Sequence, residues 1–122
     1  MTTLALRSNL GASFELGPDT IRRRDDKGAE TVFALDNITR VRALVLGGGG
    51  VLELASGDQK MVVVSSREVR GPISEAARRE YIEFVTELHR RLIAKGHPVE
   101  FVGGMIFKRK YDPRAIPPKL LP

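Results

Sequence analysis

The side chains with the clearest chemical potential are basic, and they concentrate near the C-terminus. Residues 108–122 carry five lysine or arginine residues against one acidic residue, a net charge of +4. Three of these cations are consecutive, Lys108-Arg109-Lys110, and they directly follow Met105-Ile106-Phe107. Cations beside apolar and aromatic side chains suit an anionic membrane or a nucleic-acid backbone. An ordinary charged tail, whose apolar residues pack on the domain or on a second subunit, accounts for the same pattern, and both interpretations stay open.

A second basic group, Arg22-Arg23-Arg24, lies early in the chain. On a strand, Arg22 and Arg24 project from one face and Arg23 from the other. Guanidinium groups placed in this way can bind phosphate. Asp25 and Asp26 follow at once, however, and a solvated strand end is the favoured interpretation. The candidate anion-binding residues are Arg22, Arg24, Lys108, Arg109 and Lys110.

Residue types that support catalysis or metal binding are scarce. The chain has no cysteine, which excludes thiol nucleophiles, disulfides and cysteine-ligated metals. Its two histidines, His89 and His97, lack further ligands at metal-binding spacing, and no Gly-x-Ser-x-Gly elbow occurs. The four glycines at 47–50 lack the Lys-Ser/Thr of a P-loop, so we interpret them as a hairpin tip. We expect a non-enzymatic protein without a cofactor or metal, although a Ser–His–Asp set assembled by the fold is not excluded by sequence.

Short strands separated by turn signals fill the first half of the chain. Alternating apolar residues, with many β-branched ones, predict about six strands, at 14–16, 20–24, 31–35, 38–46, 51–54 and 60–65. Leu4 to Arg7 adds a further short strand. Three successive valines, Val62 to Val64, predict that the last of these strands is buried on both faces or central in its sheet.

The apolar period changes after residue 73. Ser74 is a plausible N-cap, and Gly96 followed by Pro98 marks a helix end, so we predict one amphipathic helix over 74–95. Its apolar stripe has helical spacing and comprises Tyr81, Phe84, Val85, Leu88 and Leu92. A short strand is expected at 99–102. The last twelve residues contain four prolines, which predicts a segment that is disordered or lies extended across a partner.

The order of turn-linked strands and one C-terminal helix resembles the pleckstrin-homology-like (PH-like) superfold, in particular small bacterial PH-like domains. The local similarity is Val32-Phe33-Ala34-Leu35-Asp36-Asn37-Ile38-Thr39-Arg40-Val41, which resembles the junction between the third and fourth strands of those domains. The resemblance covers about residues 12–95. It implies an open barrel of two antiparallel sheets with the helix closing one end. Relatives that bind phosphoinositides carry a spaced basic pattern near the first hairpin, and Arg22-Arg23-Arg24 lacks that spacing.

These observations combine into one set of expectations. Residues 1–98 should form the PH-like domain, and residues 99–122 a basic, proline-rich extension. We expect a binding or scaffolding module that acts through protein contacts, including self-association into a homo-oligomer, with no small-molecule substrate. The candidate interface residues are Met105, Ile106, Phe107, Ile116, Leu120 and Leu121. The alternative is peripheral binding of an anionic membrane or nucleic acid through the basic C-terminal segment.

The expected location is the cytoplasm. The first residues lack the basic start and sustained apolar stretch of a signal peptide. No apolar run approaches the ~20 residues that a membrane-spanning helix needs.

Overall fold

The structure is a computed structural model that describes residues 3–7, 12–47, 49–65, 74–104, 106 and 108–122. Within these residues the chain forms nine strands and one α-helix. The first sheet is an antiparallel meander of four strands in chain order: β1 (Leu4–Arg7), β2 (Ser13–Leu16), β3 (Thr20–Arg24) and β4 (Glu30–Ala34). The predicted mainly β architecture with one helix is confirmed.

The turn between β3 and β4 shows why this hairpin closes where the sequence indicates. The Asp25 carboxylate accepts hydrogen bonds from the backbone N–H groups of Lys27 and Ala29, each at 2.9 Å. Gly28 has φ +87°, a left-handed conformation that glycine adopts at no steric cost. The Asp25–Gly28 segment therefore reverses the chain locally, before any tertiary contact is needed.

The second sheet contains five strands in the order β7-β6-β5-β8-β9. Strands β5 (Arg40–Leu46), β6 (Gly49–Ser56) and β7 (Gln59–Val64) form a second antiparallel meander, and β8 (Glu100–Gly103) and β9 (Arg109–Lys110) add to the free side of β5. Strand β8 runs parallel to β5, which corrects the expectation of purely antiparallel sheets. The reason is topological: β8 enters the sheet after the helix, through a crossover rather than a hairpin.

The helix α1 (Glu75–Lys95) has the predicted limits. The Ser74 hydroxyl accepts a hydrogen bond from the Ala77 N–H at 3.1 Å, and Gly96 ends the helix in a left-handed conformation with φ +77°. The helix packs against β1, β6 and the short 3-10 turn Leu35–Asn37. Its five predicted stripe residues are all buried: Tyr81, Phe84, Val85, Leu88 and Leu92. This helix lacks the combination of length and apolar content that crossing a bilayer demands, and it is the single α-helix of the described residues.

One core lies between the sheets and the helix. It includes inward-facing side chains from β1 to β7 as well as the helix stripe. The C-terminal segment joins the same core: Leu120 is 5% exposed, and Phe101, Tyr111, Ile116 and Leu121 pack against it. This packing differs from the expectation that the proline-rich segment is disordered or laid on a partner. Proline prevents regular structure, but its apolar neighbours are still stabilised by burial.

Two local expectations are wrong. Strand β7 stands at the edge of its sheet, and Val62 is 42% exposed, so its three valines do not indicate a central strand. Gly49 and Gly50, interpreted as part of a hairpin tip, are buried residues of β6. A Cβ atom on Gly50 would overlap the ring of Tyr81. The glycine is thus needed for the close approach of helix and strand rather than for a loop.

Candidate anion-binding face

The structure gives Arg22 and Arg24 carboxylate partners on the first sheet. Arg22 pairs across the strands with Glu15, at 3.7 Å between Nη1 and Oε2, and lies 3.8 Å from Glu30. Arg24 hydrogen-bonds to Glu30, and this bond lowers the pKa of the Glu30 carboxyl below its usual value. Exposed pairs of this kind contribute little stability, but they balance the local charge. The cavities of about 570 and 140 Å³ beside Lys108, Arg109 and Lys110 are lined by neither Arg22 nor Arg24.

The C-terminal cations are positioned by the edge of the second sheet. In the β8–β9 pair, Arg109 lies opposite Gly103 and Lys110 opposite Val102. The Arg42 side chain reaches the connecting segment, where its Nε donates to the Gly104 carbonyl oxygen at 3.2 Å. Backbone pairing and one long-range arginine bond therefore hold the basic segment beside β5.

A cavity of about 570 Å³ opens next to this segment. Its apolar wall comes from the sheet and from the C-terminal segment, and its cations are Arg109, Lys110 and Lys119. The other lining residues are Leu44, Val45, Gly103, Gly104, Ile106, Tyr111, Pro117 and Leu120. Ile106 is 81% exposed, the largest exposed fraction among the large hydrophobic residues described. An exposed aliphatic side chain thus stands among cations at the mouth of an apolar cavity.

The cations of this face have no carboxylate partner within the described part of the chain. Most other described arginines and lysines do pair with a carboxylate, as Lys95 does with Asp19. Lys108, Arg109, Lys110 and Lys119 form no such ion pair, and all four are exposed. Four of the five cations after residue 107 therefore lie in or beside β9 and in the turn Pro118–Leu120, without a carboxylate partner in the described chain.

A smaller cavity of about 140 Å³ lies on the outer face of the same sheet. It is lined by four cations and one carboxylate, with two small or apolar residues: Arg40, Arg42, Lys60, Lys108, Glu53, Leu54 and Ala55. Sequence reasoning missed Arg40, Arg42 and Lys60 as candidates. Part of this cluster could be predicted from the sequence, because Arg40 and Arg42 alternate along one strand and so share a face. Only the order of strands in the sheet brings Lys60 and Lys108 beside them.

A buried polar pair ties the C-terminal segment to the helix. His89 is 1% exposed, its Nδ1 lies 2.7 Å from the Val85 carbonyl oxygen, and its Nε2 lies 2.7 Å from the Tyr111 hydroxyl. A carbonyl oxygen only accepts, so Nδ1 carries the proton, and Nε2 accepts from the tyrosine. Burial lowers the pKa of His89 to about 4, and it raises the pKa of Tyr111. Phe101 completes the cluster, with ring centroids 5.3 Å from His89 and 5.9 Å from Tyr111.

The predicted interface residues differ in how far they are buried in the structure. Leu120 is part of the chain's own core, and Ile116 and Leu121 are partly buried against it. Ile106 is exposed, whereas Met105 and Phe107 lie outside the described residues. Of the four described candidates, Ile106 therefore offers the most apolar surface to a partner.

The remaining histidine and the acidic residues form no metal centre within the described ranges. His97 Nε2 lies 2.8 Å from the carbonyl oxygen of Ile38, a contact that joins the end of α1 to the start of the second sheet. No three histidine or acidic residues of the described ranges gather at a potential metal site. No protein-family model, curated protein or solved structure matches this chain.

Proposed function

We propose that this chain is a non-enzymatic, PH-like binding module whose ligand is an anionic phospholipid surface, bound by the face around Ile106. The observation that carries the proposal is the exposed Ile106 beside Arg109, Lys110 and Lys119, cations without carboxylate partners in the described chain. An aliphatic side chain at this position can enter the interfacial region of a bilayer while the cations contact anionic headgroups.

The magnitudes favour a reversible, peripheral association. Each lysine or arginine near an anionic membrane surface contributes about 1 kcal/mol, so four of them contribute about 4 kcal/mol. One inserted aliphatic side chain adds about 1.5–3 kcal/mol if it is fully buried. A nucleic-acid backbone would use the same cations, but its charged phosphates make no apolar contact with an exposed aliphatic residue. The position of Ile106 therefore favours a lipid surface.

Vesicle binding tests the proposal directly. The full chain should cosediment with vesicles of phosphatidylcholine and phosphatidylserine, but not with phosphatidylcholine alone, and raised salt should weaken the binding. Arg109→Ala combined with Lys110→Ala should lower the affinity by about 25-fold, about fivefold for each charge. Ile106→Ser should also weaken binding, and this loss should persist at a salt concentration that screens the cations.

A matched control variant loses the same two positive charges outside the proposed face. Lys27 and Arg79 are exposed and form no ion pair with the described residues, and they line none of the described cavities. The Lys27→Ala, Arg79→Ala variant should therefore bind vesicles almost as well as the unaltered chain. An equal loss of vesicle affinity in both double variants would mean that binding depends only on net charge, which would contradict the proposal. Binding to DNA but not to vesicles would assign the face to nucleic acid instead.

The order of elements supports the PH-like part of the proposal. Two sheets followed by one helix with its apolar stripe on the core fit the arrangement that the resemblance implies, an open barrel closed by a helix. Strands β8 and β9 are additions to that plan, and β9 carries Arg109 and Lys110. A module of this kind would act from the cytoplasm, where the inner leaflet supplies anionic lipid.

Protein contact through self-association is the second candidate, and the edge strand β7 favours it. Within the described chain β7 pairs with β6 alone, and its sequence is Gln59-Lys60-Met61-Val62-Val63-Val64. An exposed edge rich in valine can pair with the same strand of a second copy. Light scattering over a concentration series should then show a dimer, and Val62→Lys should abolish it. A strict monomer at high concentration would dismiss this candidate.

A further inference from the structure

We propose that the smaller cavity on the outer face of the second sheet is a binding site for a phosphate group, with Arg40, Lys60 and Lys108 as the cations that do not pair with its carboxylate. The proposal does not rest on membrane binding, because Ile106, Arg109, Lys110 and Lys119 do not line this cavity. Lys108 is the one cation that it shares with the face described above.

The strand register explains why a cavity forms here. Arg40 pairs with Ala55, and Ala55 pairs with Lys60, so these three residues form one row across β5, β6 and β7. Residues directly opposite each other share a face of the sheet, and a row of three strands places the outer two about 10 Å apart. The small Ala55 leaves the space between the two long cationic side chains open. Lys108 lines the cavity from the segment before β9.

The neighbouring row explains why the cations stay uncompensated. There Arg42 pairs with Glu53, at 3.3 Å between Nη1 and Oε2, and Glu53 is the cavity's one carboxylate. Glu53 makes its ion pair with Arg42 rather than with Arg40 or Lys60. The cavity therefore contains four positive charges and one negative charge, which favours an anion of more than one charge.

Arg40 supplies the observation that points to a ligand. Its Nε atom is buried and has no hydrogen-bond partner in the described structure. A buried donor of a charged group without an acceptor is destabilising, and a rotation of the Arg40 side chain that turns this donor toward an oxyanion in the cavity would supply the acceptor. A guanidinium group binds the oxygens of phosphate in pairs, through two parallel N–H bonds.

The size of the cavity restricts the ligand. A cavity of about 140 Å³ is smaller than the roughly 300–1,000 Å³ of typical pockets for drug-sized ligands. This space accommodates one tetrahedral oxyanion, whereas the base and sugar of a nucleotide would have to lie outside it. The shared chemistry is therefore a phosphate group, either free or at the end of a larger molecule.

Titration with inorganic phosphate tests the site itself. Sodium phosphate should produce saturable shifts in the amide NMR signals of Arg40, Ala55 and Lys60, and sodium chloride at equal ionic strength should not. Arg40→Gln or Lys60→Gln should each weaken phosphate binding by about tenfold, because each removes a charged hydrogen-bond donor. Lys27→Gln, with the same change of charge outside the cavity, should leave the affinity unaltered. Non-saturable shifts, or equal losses in Lys27→Gln and Arg40→Gln, would overturn the proposal.

Two further variants separate an effect on phosphate binding from an effect on folding or on vesicle binding. Glu53→Gln removes the one negative charge of the cavity, so phosphate should bind more tightly, which a destabilised variant would not show. Unchanged or weaker binding by Glu53→Gln would count against the site. Arg109→Ala with Lys110→Ala should retain phosphate binding even if vesicle binding is lost, so the two proposals can fail separately.

Vesicles identify the source of the phosphate group. Phosphatidic acid presents a terminal phosphate, whereas phosphatidylglycerol presents a phosphodiester, and the two can be matched in surface charge. A preference for phosphatidic acid that disappears in Arg40→Gln would assign the site to a lipid headgroup. Equal binding to both lipids, together with saturable binding of inorganic phosphate, would assign it to a soluble phosphate. If neither inorganic phosphate nor phosphatidic acid vesicles bind through Arg40, the proposed site is refuted.

Discussion

The Nε2 atom of His89 and the hydroxyl group of Tyr111 lie 2.7 Å apart, in a region where His89 is almost fully buried. One residue belongs to the helix and the other follows β9 directly. The bond therefore joins the scaffold of the domain to the segment that carries its uncompensated cations. Tyr111 also lines the cavity of about 570 Å³ beside Arg109 and Lys110, so the same residue connects the core to the proposed lipid-binding face.

Removal of the Tyr111 hydroxyl should destabilise the protein. Tyr111→Phe leaves the aromatic packing in place but leaves the buried Nε2 of His89 without a donor, which should lower the free energy of unfolding by about 1–3 kcal/mol. Urea denaturation at pH 7 measures this change. Lys110→Ala, at the exposed neighbouring position, should change the stability by less than about 0.5 kcal/mol. A loss as large in Lys110→Ala would mean that the hydrogen bond is not its cause.

Stability should fall in acid because of His89. Burial lowers its pKa to about 4 in the folded protein, whereas the ordinary value is 6.5, so the unfolded chain binds more protons between these two values. Stability therefore falls as the pH decreases from 6.5 to about 4, with a total loss on the order of 3 kcal/mol. Urea unfolding across this range should show the decline, and His89→Gln should flatten it. An unchanged slope in His89→Gln would assign the decline to other groups.

The helix stripe should be essential for folding. Leu88 is fully buried, and Leu88→Asp places a charge in the core, so we expect the domain to unfold. Circular dichroism and the dispersion of the NMR spectrum report this loss. Ile93→Asp is the matched control on the same helix, because Ile93 is 39% exposed and an aspartate there remains solvated. A folded Leu88→Asp variant would contradict the packing of α1.

A methyl group on Gly50 should be costly because of Tyr81. The ring of Tyr81 occupies the space of a Gly50 Cβ, so Gly50→Ala should lower stability by about 1–3 kcal/mol. In Gly17→Ala the nearest atom lies 3.6 Å away, an ordinary contact, and the effect should be small. Tyr81→Leu opens space, so adding Gly50→Ala to that variant should cost less than it costs alone. Additive losses would show that the contact is not responsible.

Features encoded over a few residues could be predicted. The limits of α1 follow from the Ser74 cap, the Gly96 terminator and the apolar period between them, all of which act within one or two helical turns. The turn at Asp25–Gly28 is equally local. For these elements the sequence is sufficient, because each hydrogen bond joins residues close in the chain.

Features that depend on strand order could not be predicted. Val62 belongs to a strongly β-forming run, yet its exposure depends on β7 lying at the edge of the sheet. The parallel position of β8 beside β5 likewise depends on where the chain returns after the helix. Neither property leaves a local signal, because apolar alternation is the same in edge and central strands.

The sequence by itself determined the kinds of element, the limits of the helix and the excess of positive charge after residue 107. Only the tertiary structure decided which cations remain available for a ligand. Arg22 and Arg24 face carboxylates across neighbouring strands, whereas Arg40 and Lys60 lie on either side of Ala55 and form no ion pair with the described residues. The physical reason is that charge compensation acts over a few ångströms in space, and strand pairing brings together residues that lie far apart in the chain.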